Sequence, residues 1–582
     1  MARLNDEVGA LLQEIADLIL LTGGDAFRAR SYEKAARAVG GYHADLATLD
    51  AKGLRDIPGV GTSTAGKITE YLSTGRMAKL DELRAQVPPG VREIMAIPTV
   101  GPKTAALIHR ELGVSTVDEL RAAAEQDRLG DLPGLGEKTA ENIRHGIDQL
   151  RSGGGRALLD TAMELAEEIV ASVGALPECH RCAYAGSLRR MRPTVGDVDV
   201  LATAEDSRPL MDALTRLPFV TEVLAAGPTK TSVRTSRGLQ IDLRVVPPED
   251  WGAAMVYFTG SKAHNIALRA RAVKAGLKLS EYGLFRLTER GDRGSEGEKI
   301  ASRTEEEVYA ALGLPWIPPT LREDRGEIAA ALAGELPDLV TVRDIRGDLH
   351  THTDLTDGLA PLEEMLAAAA ERGYAYYAVT DHAPNLAMQR MTDEKMLAQR
   401  DQVRALDRRY RGMRVLHGTE LNIDRDGEVD WPPAFLAGFD LCVASVHSHF
   451  RADRDVQTRR LVRACENPHV HVIGHPTTRM LGRRQPIDVD LDAVYAACAR
   501  TGTALEVNAS PERLDLGDEQ IMAARRHGVR FAVNTDAHAT THLDNLRYGV
   551  GAAQRGWLTA DEVVNTWSLT RLRQFLRKRP AG

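Results

Sequence analysis

The sequence has little cysteine, only 5 in 582 residues. So few cysteines exclude a disulfide framework and favour a reducing compartment, so we expect a cytoplasmic protein. The single Cys-x-x-Cys, from Cys179 to Cys182, has no second pair with which to form a zinc ribbon. We therefore predict two structural or surface thiols there and assign them no role. The sequence also lacks a hydrophobic run near the ~18 residues that a membrane helix needs, which excludes a membrane-spanning protein.

A net positive charge is lacking as well, because the formal charge is -8 at pH 7. Any binding of nucleic acid must therefore come from local sites and not from the field of the whole molecule. The first residues lack the basic character of a signal peptide. Their apolar residues fall at helical spacing after Asn5, which predicts a first helix capped by Asn5. With 582 residues, the chain is too long for one hydrophobic core, and two to four domains are expected.

Three segments of the N-terminal third share one pattern, two helices joined by a tight turn that contains glycine. The glycines of the three turns are Gly59 and Gly61, Gly101, and Gly134 and Gly136. Glycine permits positive φ and close backbone approach, and the free amides at the start of the next helix can bind a phosphate. The repeat resembles the helix-hairpin-helix motif, which implies binding of the DNA backbone without reading its sequence. The alternative is three ordinary helix hairpins packed as a bundle.

Two predicted strands further along carry acidic residues on one face. In "DVDVL", Asp197 and Asp199 share a face ~6 to 7 Å apart, and in "LQIDLRVV" Asp242 shares a face with Arg244. If these strands are neighbours, three carboxylates converge. Two carboxylates ~6 Å apart repel by roughly 3 kcal/mol at an effective dielectric near 20, so the cluster favours a cation, and oxygen ligands favour Mg²⁺ or Mn²⁺. For Asp-x-Asp alone, a solvated strand face is the alternative.

A turn with Gly186 and Ser187 precedes the acidic pair, and Arg189 and Arg190 lie between them. This arrangement predicts a phosphate-binding turn beside the metal-binding carboxylates. Two metal ions ~3.5 to 4 Å apart can activate an attacking hydroxyl and stabilise a leaving oxygen in phosphoryl transfer. The pattern therefore predicts a phosphoryl-transfer site.

With "YFTGSKAHNIALRARA" and "EYGLF" downstream, these residues resemble the palm and nucleotide-binding subdomain of family X DNA polymerases. The resemblance implies that Asp197, Asp199 and Asp242 hold two metal ions and that Asp242 assists the primer hydroxyl. It also implies contacts to the incoming nucleoside triphosphate from Gly186, Ser187 and Arg190 at the phosphates, Tyr257, Phe258 and Gly260 at the sugar, and Asn265 at the base. Gln240 stands where vertebrate relatives have an arginine beside the third aspartate.

The resemblance extends to the first hairpin. Lys67 occupies the place of the lysine that forms a Schiff base in the deoxyribose-phosphate lyase of DNA polymerase beta, and Lys34 resembles a phosphate-binding lysine there. Ser63 stands where that site has another lysine. A lyase activity is thus one hypothesis, and a solvated helix lysine is the other.

The histidines are concentrated in the C-terminal part, which alternates short apolar strands with helical segments and predicts a seven-stranded β/α barrel. Six of the seven strands end in residues able to bind a metal. With Asp357 from the first loop, the candidate ligands are His350, His352, Asp357, His382, Glu420, His447, His475, Asp536 and His538. The strand ends form the mouth of a β/α barrel, so these residues are expected to meet and to bind more than one ion. The histidines that we assign to packing or surface are His417, His449, His469, His471, His527 and His542.

The ligand set resembles that of the PHP (polymerase and histidinol phosphatase) domain. The resemblance implies three ions: one on His350, His352, Glu420 and Asp536, a second on Asp357, His382 and His538, and a third on Glu420, His447 and His475. Nitrogen and oxygen ligands without cysteine suit Mn²⁺ or Zn²⁺, and the sequence leaves this choice open. Such a cluster can polarise a phosphodiester and supply hydroxide near neutral pH.

The fold class predicted is multi-domain α/β, with helical helix-hairpin-helix domains, an α+β nucleotidyltransferase palm and a seven-stranded β/α barrel of PHP type. The expected boundaries are a lyase-like helical domain at 1–80, a helix-hairpin-helix subdomain at 81–150, the palm at 151–246, the nucleotide-binding subdomain at 247–317, a stiff linker at 318–340 and the PHP domain at 341–582.

The whole chain thus resembles the bacterial family X DNA polymerases with a PHP domain. The resemblance implies a monomeric repair polymerase at the nucleoid that fills short gaps in gapped or primed DNA from deoxynucleoside triphosphates. It also implies a 3′-5′ exonuclease in the PHP domain and, as in some relatives, cleavage at abasic sites. Two alternatives stay open: a polymerase fused to a PHP small-molecule phosphatase, and a DNA-end-binding scaffold with an inert palm.

Overall fold

The computed structural model describes most of the chain. The described residues are 2–40, 46–57, 59–95, 97, 100–126, 128–129, 132, 135, 143, 147, 156–287, 296–386 and 391–578. Among them, every helix is too short or too polar to traverse a lipid bilayer.

The N-terminal third is helical. Its described helices are α1 (Ala2–Leu21), α2 (Ala26–Gly40), α3 (Ala51–Asp56), α4 (Thr62–Thr74), α5 (Ala78–Gln86), α6 (Pro89–Met95), α7 (Pro102–Leu112) and α8 (Val117–Glu125). The apolar spacing of α1 is confirmed, since Leu12 and Ile15 are fully buried. The predicted cap is wrong, because α1 begins before Asn5. The Asn5 side-chain oxygen instead accepts a hydrogen bond from the Leu46 amide, 3.1 Å away, and ties α1 to the next turn.

A five-stranded mixed sheet forms the palm, in the order β2-β4-β7-β6-β5. Its strands are β2 (Arg181–Tyr184), β4 (Asp197–Thr203), β5 (Val220–Ala226), β6 (Lys230–Thr235) and β7 (Gln240–Val246), and β1 (Ala157–Leu158) pairs separately with β3 (Thr194–Val195). The helices are α9 (Leu159–Gly174), α10 (Gly186–Arg189) and α11 (Arg208–Thr215). The residues between the aspartates, Val198 and Val200 on β4 and Ile241 and Leu243 on β7, are fully buried. The alternation predicted for these strands is therefore confirmed.

The following region combines helices with a small antiparallel sheet. Its elements are α12 (Trp251–Thr259), α13 (Lys262–Lys274), β8 (Leu277–Ser280), β9 (Gly283–Leu287), β10 (Glu296–Ala301), α14 (Glu305–Ala311) and α15 (Glu327–Ala333). The segment predicted as a stiff linker, 318–340, contains α15 and packs its Leu321 and Ala331 into the same hydrophobic core as Val308 and Tyr309. It therefore extends this subdomain as well as leading to the barrel.

The C-terminal part is the predicted barrel. Seven parallel strands lie in chain order: β11 (Gly347–Asp348), β12 (Tyr376–Val379), β13 (Arg414–Asn422), β14 (Leu441–Ser445), β15 (Val472–Ile473), β16 (Ala504–Asn508) and β17 (Phe531–Asn534). The helices are α16 (Leu362–Glu371), α17 (Asp393–Asp407), α18 (Pro433–Leu436), α19 (Arg454–Glu466), α20 (Leu491–Thr501), α21 (Asp518–Arg526), α22 (Leu546–Arg555) and α23 (Leu569–Leu576). A bridge from Thr351 to Ala537 nearly closes the sheet. The predicted fold class is confirmed.

The barrel does not stand apart from the palm. Leu514, from the loop after β16, and Tyr548, from α22, are buried in the hydrophobic core formed by α9, β4 and β7. Arg547 of α22 pairs with Glu167 of α9 at 2.7 Å. The two domains therefore share a packed contact.

Candidate active sites and nucleic-acid interface

The palm aspartates meet because β4 and β7 are neighbouring parallel strands. Asp199 lies opposite Asp242, and Asp197 lies opposite Gln240. Burial raises the pKa of Asp199 to about 7, and the negative charges of Asp197 and Asp242 add to the shift. A carboxyl group so disfavoured as an anion is stabilised by a bound cation. The strand pairing and the mutual repulsion of these carboxylates therefore favour the predicted divalent metal site, although among the described residues only groups in the barrel have three or more ligand atoms within 4.8 Å of one another.

Asp242 has partners that the sequence did not indicate. The Lys230 ammonium lies 2.7 Å from its Oδ2, and the Gln240 amide donates to its Oδ1 at 3.1 Å. Burial opposes ionisation of Asp242, but hydrogen bonds from Lys230, Ser232 and Gln240 outweigh it and lower the pKa. Lys230 of β6 thus supplies a positive charge beside Asp242. Only the pairing of β6 with β7, which the sequence does not reveal, brings Lys230 to this site.

The predicted phosphate turn lies directly above Asp199. Gly186 has φ +62, and a side-chain Cβ there would lie 2.5 Å from the Asp199 carboxylate, so only glycine fits. Ser187 follows it and is half-buried. Arg189 binds Glu305 through two hydrogen bonds of 2.8 and 2.7 Å, which joins the turn to α14.

Arg190, the predicted triphosphate ligand, lies between the palm and the nucleotide-binding subdomain. Its Nη1 donates to the Thr259 carbonyl at 2.5 Å, and its Nε donates to Glu323 at 3.1 Å. A Cβ on Gly260 would lie 3.3 Å from the same Nη1, so the two predicted nucleotide contacts adjoin.

The remaining predicted nucleotide contacts lie at the end of α12 and the start of α13. The rings of Tyr257 and Phe258 are 5.1 Å apart in an edge arrangement, and the Arg244 guanidinium lies 4.6 Å from the Phe258 ring. Asn265 donates to the Tyr257 carbonyl at 2.6 Å. Its buried Oδ1 has no hydrogen-bond partner among the described residues, which leaves an acceptor for a ligand.

The helix-hairpin-helix turns repeat one backbone hydrogen bond. Val60 donates to Ile57, Val100 to Ile97 and Leu135 to Leu132, each at 3.0 Å. Gly59 has the left-handed φ of +86. Gly61 and Gly101 are exposed and immediately precede α4 and α7, so the first amides of these helices are next to an open surface. Gly134 and Gly136 lie outside the described residues.

Lys67, the candidate lyase residue, is half-buried on α4. Its ammonium donates to the Ser63 hydroxyl at 2.8 Å and lies 5.6 Å from the ring of Tyr32. Lys34 lies beside the Gly59 turn, where a Cβ on the glycine would be 2.9 Å from its Cγ. Ser63, which stands where the lyase pattern has another lysine, is thus a direct partner of Lys67, and Lys34 lies at the turn that precedes α4.

The nine candidate ligands of the barrel converge at the C-terminal ends of the strands. Three groups have ligand atoms within 4.8 Å of one another: His352, Asp357, His382 and His538; His350, His352 and Asp536; and His382, Glu420 and His447. His475 adjoins the third group, with its Nε2 3.0 Å from Glu420 Oε1. Two residues differ from the predicted sets. His352 also lies close to the set of Asp357, His382 and His538, and His382 also lies close to the set of Glu420, His447 and His475. Buried Nδ1 atoms of His352 and His475 lack a hydrogen-bond partner among the described residues, and this donor set fits divalent ions.

The charges of this centre are strongly coupled. Burial lowers the pKa of His350, but the carboxylates of Glu506, Glu420 and Asp536 outweigh it and raise the pKa well above its usual value. Burial opposes ionisation of Glu420, but His447, His382 and His350 hold its pKa well below the usual range. Protons on His350, His382 and His538, whose pKa values are all raised, therefore balance the buried carboxylates, and a metal ion must displace them.

Glu506 is a partner of the centre that the sequence analysis missed. It is buried on β16, the one strand to which no ligand was assigned, and its Oε1 lies 2.8 Å from His350 Nδ1. Its Oε2 accepts from the His475 amide at 2.7 Å. Glu506 therefore turns the His350 Nε2 towards the centre. The signal in the sequence is an acidic residue in the apolar strand "ALEVN". It was missed because Glu506 lies two residues before the end of the strand.

The histidines assigned to packing do not join these groups among the described residues. His417 stacks on Phe439, with ring centroids 5.0 Å apart. His471 contacts the Cys442 amide at 3.0 Å and the Leu576 carbonyl at 2.9 Å. His542 lies beside the centre, where its Nδ1 accepts from the His538 amide at 3.3 Å.

Comparison with known protein families assigns four segments of the chain. Residues 3–77 match the family described as helix-hairpin-helix domain, residues 91–148 the SAM-like helix-hairpin-helix tandem, residues 254–323 the DNA polymerase beta thumb and residues 348–510 the PHP domain. The third match ends within the segment predicted as a linker, in agreement with its packing.

Three curated relatives cover different shares of the chain. It is 35% identical to the DNA polymerase/3′-5′ exonuclease PolX of Bacillus subtilis (strain 168) over 571 residues, 98% of each chain. It is 31% identical to DNA polymerase lambda of Rattus norvegicus over 322 residues, 52% of this chain and 53% of that one. It is 27% identical to a protein named "Probable phosphatase" from Thermoanaerobacter sp. (strain X514) over 244 residues, 40% of this chain and 94% of that one. The first similarity extends over nearly the whole chain.

Proposed function

The chain belongs to the family X DNA polymerases that carry a C-terminal PHP domain, and we propose that it fills short DNA gaps with its palm and removes nucleotides from 3′ ends with its barrel. The observation that carries this proposal is the presence of two separate clusters of side chains that are candidates to bind cations. One consists of aspartates on β4 and β7, and the other of histidines and carboxylates at the barrel mouth.

In the palm, the protein's own task is to position the reactants. Divalent ions held by Asp197, Asp199 and Asp242 would activate the primer hydroxyl and stabilise the leaving pyrophosphate. Lys230, Ser232 and Gln240 keep Asp242 ionised, so that it can accept the proton of that hydroxyl. The Gly186 turn lets phosphates approach the backbone, and the Arg190 guanidinium provides positive charge beside it.

In the barrel, bound metal ions would polarise a phosphodiester and lower the pKa of a water molecule. Arg513 can contribute charge to the phosphate, because its Nε lies 3.6 Å from Asp536 and its buried Nη1 has no hydrogen-bond partner among the described residues. Glu506 holds His350 in the orientation that directs Nε2 to the ions. These groups support hydrolysis of a misinserted nucleotide at a 3′ end.

The proposal extends to cofactors and setting. We infer Mg²⁺ or Mn²⁺ at the oxygen-only palm site, and up to three Mn²⁺ or Zn²⁺ ions at the mixed nitrogen and oxygen site of the barrel. The partners are gapped or primed DNA, held by the helix-hairpin-helix turns at Gly59, Gly61 and Gly101, and deoxynucleoside triphosphates. We infer a monomer in the bacterial cytoplasm at the nucleoid, and the five free cysteines support a reducing compartment.

A gapped-primer assay with Mg²⁺ and Mn²⁺ supplied separately tests the proposal, with extension and shortening of the primer followed together. Asp242→Asn should abolish extension and leave shortening, and His382→Ala should do the reverse. Loss of both activities in either variant contradicts two independent sites. Absence of extension by the wild-type chain, with Asp197→Ala as the reference, would instead indicate an inert palm that only binds DNA ends.

A second candidate function for the barrel is hydrolysis of a small phosphomonoester. The relative named as a phosphatase supports it, since the match spans 94% of that protein. Release of mononucleotides from a 3′ end, lost in His350→Ala, supports the nuclease. Release of inorganic phosphate from histidinol phosphate, without mononucleotide release, supports the phosphatase.

Two further activities are hypotheses with their own tests. A deoxyribose-phosphate lyase at Lys67 should give a borohydride-trapped adduct with DNA that carries a 5′-deoxyribose phosphate, and absence of a Lys67-dependent adduct removes it. Cleavage at abasic sites by the barrel should be lost in His382→Ala and kept in Asp242→Asn.

A further inference from the structure

The end of α22, a helix of the barrel, contacts the phosphate turn of the palm. The Arg555 side chain is 2% exposed. Its Nη1 donates to the Arg190 carbonyl at 2.7 Å and to Glu323 Oε1 at 2.8 Å. The same Glu323 oxygen accepts from the Arg190 Nε at 3.1 Å. One carboxylate therefore bridges a guanidinium of the palm and a guanidinium of the barrel.

A second contact lies one turn earlier on α22. A Cβ on Gly551 would be 2.7 Å from Met191 Cε and 3.0 Å from its Cβ, so α22 packs against Met191 without room for a side chain. Met191 follows Arg190 directly and has a left-handed φ of +55. The backbone of the turn is thus held on the barrel side by both Gly551 and Arg555.

The charges around this contact favour an anion beside Arg190. Asp518 pairs with both Arg325, at 3.0 Å, and Arg555. Arg325 also pairs with Glu519 at 3.0 Å, and Arg192 lies 4.0 Å from Glu323. Four guanidinium groups therefore share the three carboxylates of Glu323, Asp518 and Glu519, which leaves an excess of positive charge. Without Arg555, Glu323 would be left to neutralise Arg190, and the Arg190 backbone would lose a charged hydrogen bond.

We propose that Arg555, although it belongs to the barrel, is a positioning residue of the polymerase site that holds Arg190 ready for the triphosphate of the incoming nucleotide. The inference rests on the proposed function of the palm. It predicts that a change in the barrel alters nucleotide binding by the polymerase without altering the barrel's own chemistry. The groups concerned are 365 residues apart in the chain.

Single-nucleotide gap filling by the full-length chain tests the proposal. Arg555→Ala should raise the KM for the deoxynucleoside triphosphate about tenfold and change kcat by less than roughly threefold. The reason is that the triphosphate contacts Arg190 equally in the bound substrate and in the transition state. Release of nucleotides from 3′ ends should stay at the wild-type rate. Arg571→Ala is the matched control, because Arg571 pairs with Asp561 at 2.6 Å in the same domain without contacting the palm.

A second variant guards against a simple loss of folding. Gly551→Ala adds a better helix former to α22 but presses on Met191, so it should raise KM, and its melting temperature is measured beside that of the wild-type chain. Met191→Ala in the same chain removes the Cγ and Cε that lie 3.0 and 2.7 Å from the added Cβ, so it should lower KM towards the wild-type value. The rescue is a readout that a merely structural defect would not show.

Three results would overturn the proposal. The first is an unchanged KM in both Arg555→Ala and Gly551→Ala. The second is a parallel loss of extension and shortening in Arg555→Ala, which indicates a structural role. The third is a failure of the wild-type chain to fill the gap. This result contradicts the proposed function itself, and it is distinguishable from the first two because it is seen without any substitution.

Discussion

Asp199 and Asp242 lie opposite one another on the parallel strands β4 and β7, yet their pKa values are shifted in opposite directions. Burial is the largest opposing influence on both anions. Asp242 is compensated by Lys230, Ser232 and Gln240, whereas Asp199 faces the negative charges of Asp197 and Asp242. The palm site in its metal-free state therefore holds one firmly ionised carboxylate and one that exchanges a proton near neutral pH.

Metal binding in the palm should release a proton from Asp199. Its pKa is about 7, so at pH 7 a cation displaces about half a proton per molecule, and the affinity for Mg²⁺ rises as pH increases through 7. Isothermal titration in two buffers of different ionisation enthalpy measures this proton release in a His382→Ala background. Asp199→Asn should remove it, and an equal release in that variant contradicts the assignment.

Lys230→Met should raise the pKa of Asp242 and move the acid limb of the polymerase pH profile to higher pH. A lost charge-assisted hydrogen bond raises a pKa by about one to two units, so kcat/KM is expected to fall about threefold near pH 5 and to recover as pH rises. Lys299→Met is the matched control, because the Lys299–Asp250 pair has a similar 2.6 Å distance and similar exposure, 37% and 7% against 34% and 9%. Equal profiles for the two variants would dismiss the role of Lys230.

Glu506→Gln should weaken metal binding by the barrel. Loss of the charged partner of His350 costs about 10- to 100-fold in affinity for centres of this kind. Mn²⁺ dependence of 3′-end shortening measures the effect, and primer extension should be unchanged. Glu512→Gln serves as the control, because Glu512 is exposed and pairs only with Arg483 among the described contacts. Wild-type Mn²⁺ dependence in Glu506→Gln would contradict the orienting role.

Chelation should destabilise the chain more at pH 9 than at pH 6.5. Burial lowers the pKa of His538, but Asp357 and Asp536 outweigh it and raise the pKa to about 9. A histidine pKa that is higher in the folded than in the unfolded protein stabilises the folded state. This stabilisation is fully present below the unfolded pKa near 6.5 and is lost as pH rises through 9. The melting temperature in EDTA should fall by a few degrees across this range. Saturating Mn²⁺ should flatten the curve, and a flat curve in EDTA would refute the expectation.

Gly59→Ala should weaken binding to gapped DNA. The left-handed φ of Gly59 and the nearby Lys34 side chain both oppose a Cβ, so the turn must shift and its helix amides move. About a tenfold loss in affinity is expected by fluorescence anisotropy at low salt. Gly75→Ala is the matched control, since Gly75 also has a left-handed φ, +70, but ends α4. A loss equal to that of Gly75→Ala would indicate general strain.

The parts of the fold that follow from local pattern could be predicted from the sequence. The alternation in "DVDVL" placed Asp197 and Asp199 on one face, and the repeated strand ends placed the barrel ligands at one mouth. Three residues escaped this reasoning. Asn5 has an N-cap side chain but is used in a tertiary hydrogen bond, Lys230 reaches Asp242 only through strand pairing, and Glu506 lies within a strand and not at its end.

Contacts between distant segments could not be predicted from the sequence either, because they depend on how separate elements pack together. The Arg555–Glu323–Arg190 contact joins three segments, and no local pattern relates their positions. The Pro318-Pro319 pair in the sequence predicts a stiff linker, but the burial of this segment depends on the core that Val308 and Tyr309 present to it. Periodicity records which face of an element is apolar and leaves its partner unspecified.

The insertion of Leu514 and Tyr548 into the palm core bears on how the chain can be divided. A fragment that stops before the barrel would expose an apolar depression among α9, β4 and β7. Its behaviour would reflect an incomplete interior as well as the missing nuclease. The same packing couples the nuclease to the polymerase, because loss of either domain would expose apolar surface of the other. We therefore expect the two domains to be stable only together.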